Sequence, residues 1–521
     1  MHRLQGRPSA GITCILLSLA LLVCCDQAPG AAPRTDPTRW FLTEADIQAA
    51  RGGVTDSARG LSVFTSGNLV QPLVDGEEMM RALRDDVAAT REGDFIHITG
   101  WRMDQWMDLV PAAGESSKQT SRQSPNNVAS LWLRALSDGV VSRTLLWRPP
   151  SNPWLFRPEQ GQNRRTVRLI NQNHGHAALD GRVPEHGSHH QKSAIVQHDG
   201  EAVAYCGGID LAKGRWDTRQ HDSDPRRLRG HWHGWHDVGV RLRGPAVLDI
   251  ERSFRQRWNA SRHPDKAPPH RPPIAAPLPP VLTNVDRQHV QVLRTYARKG
   301  GRYRSFAPQG EFTCLAAYRK AIARAETYIY IEDQYLTFRE IARELAAALE
   351  RIEKLVIVVP HHVGDPLHTF SWHQSRFIKV LRRHHPQKVH VYHLVQPATA
   401  KCIYVHAKLM IVDDIYAVIG SQNINRRSMT HDSEIAVAVV DADVVNGVCR
   451  FARDLRLNLW GEHLALPTTD ARIADPIAGV DEWEKQAAAG THRVRVHTAP
   501  RPRDEWSCLW SRYFDPGGRH R

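Results

Sequence analysis

The chain has 521 residues, 41% of them hydrophobic, which is enough for large cores and, by length alone, roughly three domains. Its formal net charge of +14 and pI of about 9.6 favour an anionic partner, whether a lipid surface, nucleic acid or a phosphorylated substrate. The eight cysteines include no close Cys-x-x-Cys pair, which argues against a thiolate zinc site, and the sequence shows no other metal-ligand cluster.

The N-terminus carries Arg3 and Arg7, an apolar stretch over 12–23 and a small, Pro-rich stretch over 26–37. This is the pattern of a signal over 1–30 and of an exported protein. Leu22-Val23-Cys24-Cys25 is a loose match to a lipoprotein cleavage box, so soluble export and a lipid anchor both stay open. Five cysteines follow the signal: Cys206, Cys314, Cys402, Cys449 and Cys508. Buried thiols are the expectation for them.

From there the chain reads as two copies of one pattern. An amphipathic helical stretch over 79–91 leads to the strand Asp94-Phe-Ile-His-Ile-Thr-Gly100. A second such stretch, 312–325, leads to Thr327-Tyr-Ile-Tyr-Ile-Glu-Asp333. Helix 128–136 with strand 144–147 is matched by helix 338–351 with strand 355–359, and a third strand pair is expected at 166–170 and 388–394. Then come His190-Gln191-Lys192 and His406-Ala407-Lys408. His236-Asp237-Val-Gly-Val240 is matched by Ser433-Glu434-Ile-Ala-Val437, each before a helix ending in Trp (247–258 and 444–460).

Strand–helix–strand alternation predicts an α/β fold: two pseudo-symmetric α/β lobes with mixed, largely parallel sheets flanked by helices. The expected lobes are 40–260 and 286–465, joined by a Pro-rich linker over 261–285. A C-terminal extension over 466–521, with Trp506, Trp510, Tyr513 and Phe514 near its end, is expected to pack on the second lobe.

Residues i and i+2 of a strand share a face, so each motif sets a histidine beside a fixed positive charge. Two copies related by a pseudo-two-fold axis bring both faces to one cleft. Phosphodiester cleavage needs such a set: a nucleophile, an acid for the leaving oxygen and cations for the phosphoryl oxygens. Lys192 and Lys408 supply the charges, and Asn423 with Ser421 can donate hydrogen bonds to the phosphate. Gly208 and Asp210 are the phosphate-binding candidates of the first copy. The repeat alignment nominates Asp237 as the carboxylate orienting His190 and Glu434 as that orienting His406, with Asp217 the runner-up for His190.

His406, Lys408, Asp413, Gly420, Ser421 and Asn423 stand in the order that resembles the phospholipase D superfamily. So do His190-Gln191-Lys192, Gly207-Gly208-Ile209-Asp210, Gly214-Arg215-Trp216-Asp217 and Tyr330-Ile-Glu332-Asp333-Gln334-Tyr335. The combination is similar to the eukaryotic-type phosphatidylcholine-preferring branch and its bacterial relatives, over about residues 60–465. The resemblance implies a metal-free, cofactor-free enzyme with His190 as nucleophile and His406 as acid, although the symmetry allows the reverse. It also implies hydrolysis of a glycerophospholipid at a membrane surface, with water or a small alcohol as acceptor. A monomer with no obligate nucleic-acid partner is expected. A nuclease and a phosphatidyltransferase synthase are the rival readings.

The first copy departs from the pattern. Five residues after Lys192 the family's Asp is replaced by Gln197, whereas Asp413 is present in the second copy and suits a structural role at its hairpin. His198-Asp199-Gly200-Glu201 reads as a hairpin turn, extended relative to the second copy, in which Asp199 could stand in for the missing carboxylate.

Overall fold

The computed structural model describes residues 33–54, 60–111, 122, 124–149, 157–184, 187–222, 234–260, 274, 285–298, 303–363 and 369–498. The expected signal, nearly all of the Pro-rich linker, the four aromatic residues of the tail and Cys508 lie outside these. Two short helices, α1 (Pro37–Trp40) and α2 (Glu44–Ala50), come first. The first repeat comprises β1 (Thr65–Val74), α3 (Asp75–Ala89), β2 (Phe95–Gly100), α4 (Val128–Ser137), β3 (Val141–Trp147), α5 (Arg157–Gln172) and β4 (His176–Asp180). It continues through β5 (Ser193–His198), β6 (Glu201–Gly207), β7 (Gly234–His236), β8 (Val238–Arg243) and α6 (Ala246–Ala260). The second repeat opens with β9 (Gln288–Tyr296), β10 (Glu311–Phe312), α7 (Thr313–Arg324), β11 (Tyr328–Asp333), α8 (Arg339–Ala348), β12 (Lys354–Val358), α9 (Thr369–Leu381) and β13 (Val389–Val395). After it come β14 (Cys402–Val405), β15 (Lys408–Val412), β16 (Tyr416–Gly420), α10 (Arg426–Thr430), β17 (Glu434–Asp441), the hairpin β18 (Val444–Val445) and β19 (Val448–Cys449), and α11 (Arg450–Leu464). Finally, α12 (Gly479–Ala489) leads to β20 (Val494–Val496), which pairs with β13.

The repeat is visible in the sheets. One runs β4-β3-β2-β5-β6-β8-β1 and the other β13-β12-β11-β15-β16-β17-β9, so equivalent strands hold equivalent places. Helical crossovers make β2, β3 and β4 parallel, as they do β11, β12 and β13. The strands that follow the motifs run antiparallel as hairpins. This is a mixed α/β architecture with helices on the sheets. β15 and β16 are buried at every position, which explains why their sequences are apolar runs rather than alternating ones.

Two expected elements are corrected. Residues 166–170 lie inside α5, and the matching strand is β4, ten residues on. The apolar residues of 166–170 are spaced for one helix face, and a short run cannot separate that from a strand. The stretch 444–449 is the small β18–β19 hairpin, and the helix begins only at Arg450.

The first hairpin turns through Asp199 and Gly200 at φ of 50° and 77°, two left-handed residues of the kind that match strand twist. In the second copy Asp413 and Asp414 do the same, at 55° and 52°. Asp413 can afford this conformation because its carboxylate accepts the backbone N–H groups of Glu326, Thr327 and Tyr328 at 2.8–2.9 Å, tying the turn to the start of β11.

The halves are joined at several places. β1 pairs with β9 through Thr65 and Asn68. β7 of the first repeat runs parallel to β14 of the second, and His189 forms an isolated parallel bridge with Ser433. One hydrophobic cluster contains Val70, Ile195 and Val240 from the first repeat and Leu409, Ile419 and Val437 from the second.

Candidate active site

Neither motif histidine lies within a strand, contrary to the expected shared strand face: His190 precedes β5 and His406 stands between β14 and β15, both at the joins between halves. The His190 N–H donates to the Ser433 carbonyl at 3.0 Å, and the His406 N–H to the His236 carbonyl at 2.7 Å. In each case the next residue of the opposite half is a carboxylate. His190 Nδ1 lies 3.1 Å from both Glu434 oxygens and 2.9 Å from the Ser421 carbonyl. His406 Nδ1 lies 2.6 Å from Asp237 Oδ2. The repeat alignment had assigned Asp237 to His190 and Glu434 to His406, and the structure crosses those pairs. Each half carries the histidine that the other half's carboxylate orients.

This geometry leaves Nε2 of each ring for chemistry. Both carboxylates are fully buried, and burial pushes the Glu434 carboxyl up to about 8 and that of Asp237 up to about 6. Both imidazoles are held well below the usual histidine range, first by burial and then by nearby cations: Lys192 and Lys408 at His190, and Lys408, Arg215 and Lys192 at His406. Each histidine therefore feels the lysine of the other motif, which puts the two motifs in one electrostatic site. Lys408 is itself lowered to about 8 by burial.

The other candidates fall into distinct places. Lys192 Nζ donates to the His190 carbonyl at 2.9 Å and pairs with Asp210 at 3.3 Å. Lys408 Nζ donates to the His406 carbonyl and lies 3.5 Å from the Gln334 oxygen. The two lysines thus fold back in the same way in both repeats. Asp210 also accepts the Trp101 and Arg102 N–H groups at 3.0 and 3.1 Å, so it orients Lys192; a carboxylate so placed is no phosphate donor. Ser421 is corrected too: its hydroxyl donates to Glu434 at 2.5 Å and accepts from the Ile435 N–H, and it braces the Glu434–His190 pair. Asn423 is buried, and its Oδ1 accepts no hydrogen bond from the described residues.

Gly208 is needed for space rather than for phosphate binding, because a Cβ there would stand 2.0 Å from Asp237 Oδ1. Asp217 binds His221 and the Trp235 N–H and does not reach His190. Asp199 is exposed, bonded to His198 and Arg91, and stands outside the site. His189, although adjacent to His190, is locked between Ser433 and Asp180.

Two features of the site were not singled out from sequence. The Arg215 guanidinium lies 4.0 Å over the Trp235 ring, and that ring packs 4.8 Å from His406 and stacks at 4.7 Å on Tyr404. Gln334 bridges Lys408 and the Tyr404 hydroxyl. Both sit in motifs whose signal was present, Gly-Arg-Trp-Asp and Glu-Asp-Gln-Tyr.

The described residues include free thiols at Cys206, Cys314, Cys402 and Cys449. No helix among them is long and apolar enough to cross a membrane.

A family model described as phospholipase D matches residues 224–340, and one described as cardiolipin synthase, PLD-like domain, matches residues 318–455. Phospholipase D alpha 1 of Zea mays is 26% identical, over 73% of this chain and 63% of its own length. Phospholipase D A of Dictyostelium discoideum is 30% identical, over 54% of this chain and 27% of its own. The chain thus spans less than two thirds of either relative. Among solved structures, a phosphatidylserine synthase from Haemophilus influenzae Rd KW20 aligns with a TM-score of 0.48 at 11% identity, covering 85% of this chain and 98% of that one.

Proposed function

This chain belongs to the phospholipase D superfamily, and we propose that it is a phosphodiesterase that hydrolyses glycerophospholipids such as phosphatidylcholine to phosphatidate and a free alcohol. The observation that carries this reading is the pair of crossed dyads, His190–Glu434 and His406–Asp237, with Lys192 and Lys408 in the same site.

His190 Nε2 attacks phosphorus and its lone pair forms the P–N bond. The P–O bond to the head-group alcohol breaks as His406 Nε2 gives that oxygen its proton. Water, or a second alcohol, then gives its proton back to His406 and displaces His190, yielding phosphatidate or a new phosphatidyl ester. Lys192, Lys408 and Arg215 offset the phosphate charge, so the phosphoryl step runs on protein cations. The neutral imidazole at His190 is the form that can attack. His406 must carry a proton, and a bound anionic phosphate counters the cations that otherwise depress it.

A monomeric state belongs to the same reading, as do export and peripheral action on a lipid surface, which the sequence over 1–30 and the net charge of +14 support.

The test is turnover of phosphatidylcholine vesicles with added ethanol, beside single-stranded DNA. Release of choline with phosphatidate and phosphatidylethanol is expected, and His190→Ala and His406→Ala should each abolish it while circular dichroism stays native. DNA cleavage without lipid turnover would make the chain a nuclease of the same superfamily. A product profile dominated by transfer to a lipid alcohol would make it a synthase.

A further inference from the structure

The two motif histidines have unlike neighbours in the chain. His190 stands between His189 and Gln191, and His406 between Val405 and Ala407. All four neighbours are buried. A buried polar side chain costs free energy unless its bonds are met, so His189 and Gln191 need partners that Val405 and Ala407 do not.

Both lead back to Asp180 at the end of β4. Asp180 Oδ2 lies 3.1 Å from His189 Nε2 and accepts from Arg257 Nε of α6 at 3.1 Å, while Arg182 donates to both its oxygens at 2.9–3.0 Å. One arm runs on through His189, whose Nδ1 is 2.7 Å from the Ser433 hydroxyl. The other runs through Arg257 Nη1, which donates to Gln191 Oε1 at 3.1 Å. Gln191 Nε2 in turn donates to the Glu434 carbonyl at 3.1 Å and to the Tyr296 hydroxyl at 2.9 Å. The two arms thus end on consecutive residues of the other half, Ser433 and Glu434.

The protons fit this arrangement. Against its burial, His189, Arg257 and Arg182 hold the Asp180 carboxyl well below the usual carboxylate range. Burial and then Arg257 lower His189 to about 4, so its ring is neutral. With the ring proton on Nε2, towards the charged Asp180, Nδ1 is left to accept the Ser433 O–H.

The second join is held differently. There β7 pairs with β14 along a ladder, Ile403 with Gly234, Tyr404 with Trp235 and Val405 with His236. The first join has only the isolated bridge between His189 and Ser433. Ladder hydrogen bonds bring Asp237 to His406, whereas side chains bring Glu434 to His190.

We propose that His189, Gln191 and Asp180 are positioning residues for the first dyad, fixing the Ser433–Glu434 segment so that Glu434 meets Nδ1 of His190. They act through Glu434. A shift of about 1 Å at a reacting group costs about 10²-fold in rate. Their effect on rate rests on the phosphodiesterase reading, and their effect on the His190 ring does not.

The test uses the full chain and two readouts. The first is the nitrophenol burst from a p-nitrophenyl phosphodiester beside turnover of a choline ester. His189→Ala, Gln191→Ala and Ser433→Ala should copy the pattern of Glu434→Gln across the two substrates, with losses of about 10²-fold. His189→Asn, whose amide oxygen takes the place of Nδ1, should recover most of the rate. The second is the spectrum of ¹⁵N-labelled histidines. His189→Ala should lose the Nδ1 proton signal of His190 and keep that of His406, which Asp237 holds. A His189→Ala protein that melts lower yet keeps wild-type rates and the His190 signal would overturn the proposal. So would one in which both ring signals are lost alike, or an Asn variant no better than Ala. Should His189→Ala fail to fold, Ser433→Ala, which removes one hydroxyl, decides by the same readouts. Wild-type protein without phosphodiester turnover would remove the proposed function and leave the His190 signal to judge the positioning.

Discussion

Lys408 lies under complete burial, which lowers it to about 8 despite nearby Asp237, Asp333 and Glu434. A depressed ammonium is charged below that value and neutral above it. The phosphate therefore loses a cation as pH rises through about 8. We predict a basic limb near pH 8 in kcat/KM on a soluble short-chain phospholipid, with the limb in kcat displaced upward because bound phosphate holds the proton on Lys408. The crossed dyads give a sharper expectation. On the proposed roles Asp237→Asn impairs the acid, so it should slow a choline ester by about 10²–10⁴. It should still permit a burst of nitrophenol from a p-nitrophenyl phosphodiester, whose phenolate leaves without a proton. Glu434→Gln impairs the nucleophile and should suppress that burst as well. The opposite pattern would exchange the roles of His190 and His406.

At the scale of elements, the two motif hairpins differ in length yet perform the same task. β5 and β6 extend past the point where β15 and β16 turn, which carries Asp199 out to the surface and away from His190. Asp413 at its own turn holds the start of β11, and among the described residues it bonds no histidine. The absence of an Asp at 197 is therefore a difference in how a turn is secured. Gln197→Ala and Asp199→Asn should each change turnover by less than about threefold, as substitutions outside the site do when they move stability by about 0.5 kcal/mol or less. A thermal melt run beside the assay distinguishes a change in folding from one in catalysis. What does matter at this scale is the placement of β7 beside β14 and of His189 beside Ser433, since those contacts deliver each carboxylate to its histidine.

For the whole molecule, the two halves share a core as well as a site. Leu409 lies in β15, fully buried, in the cluster that also contains Val70, Ile195 and Val240. Leu409→Ala should destabilise the protein by about 2–5 kcal/mol, the range for a buried leucine deletion. Because the cluster crosses the join, far-UV circular dichroism and tryptophan fluorescence should report one coincident transition in wild type and variant alike. Two separated transitions would mean that the repeats fold as independent bodies.

The order of elements, the internal repeat and the two histidine–lysine motifs were legible in the sequence, because hydrophobic period and local spacing are properties of neighbours along the chain. The strand misread at 166–170 marks the limit of period alone: a short apolar run fits a helix face as well as a strand. Alignment of the copies also found both carboxylates, Asp237 and Glu434, since equivalent residues occupy equivalent positions. It could not say which histidine each one meets. That depends on which strand lies beside which once the halves are joined, and a pseudo-two-fold join brings each motif next to the other copy's strand.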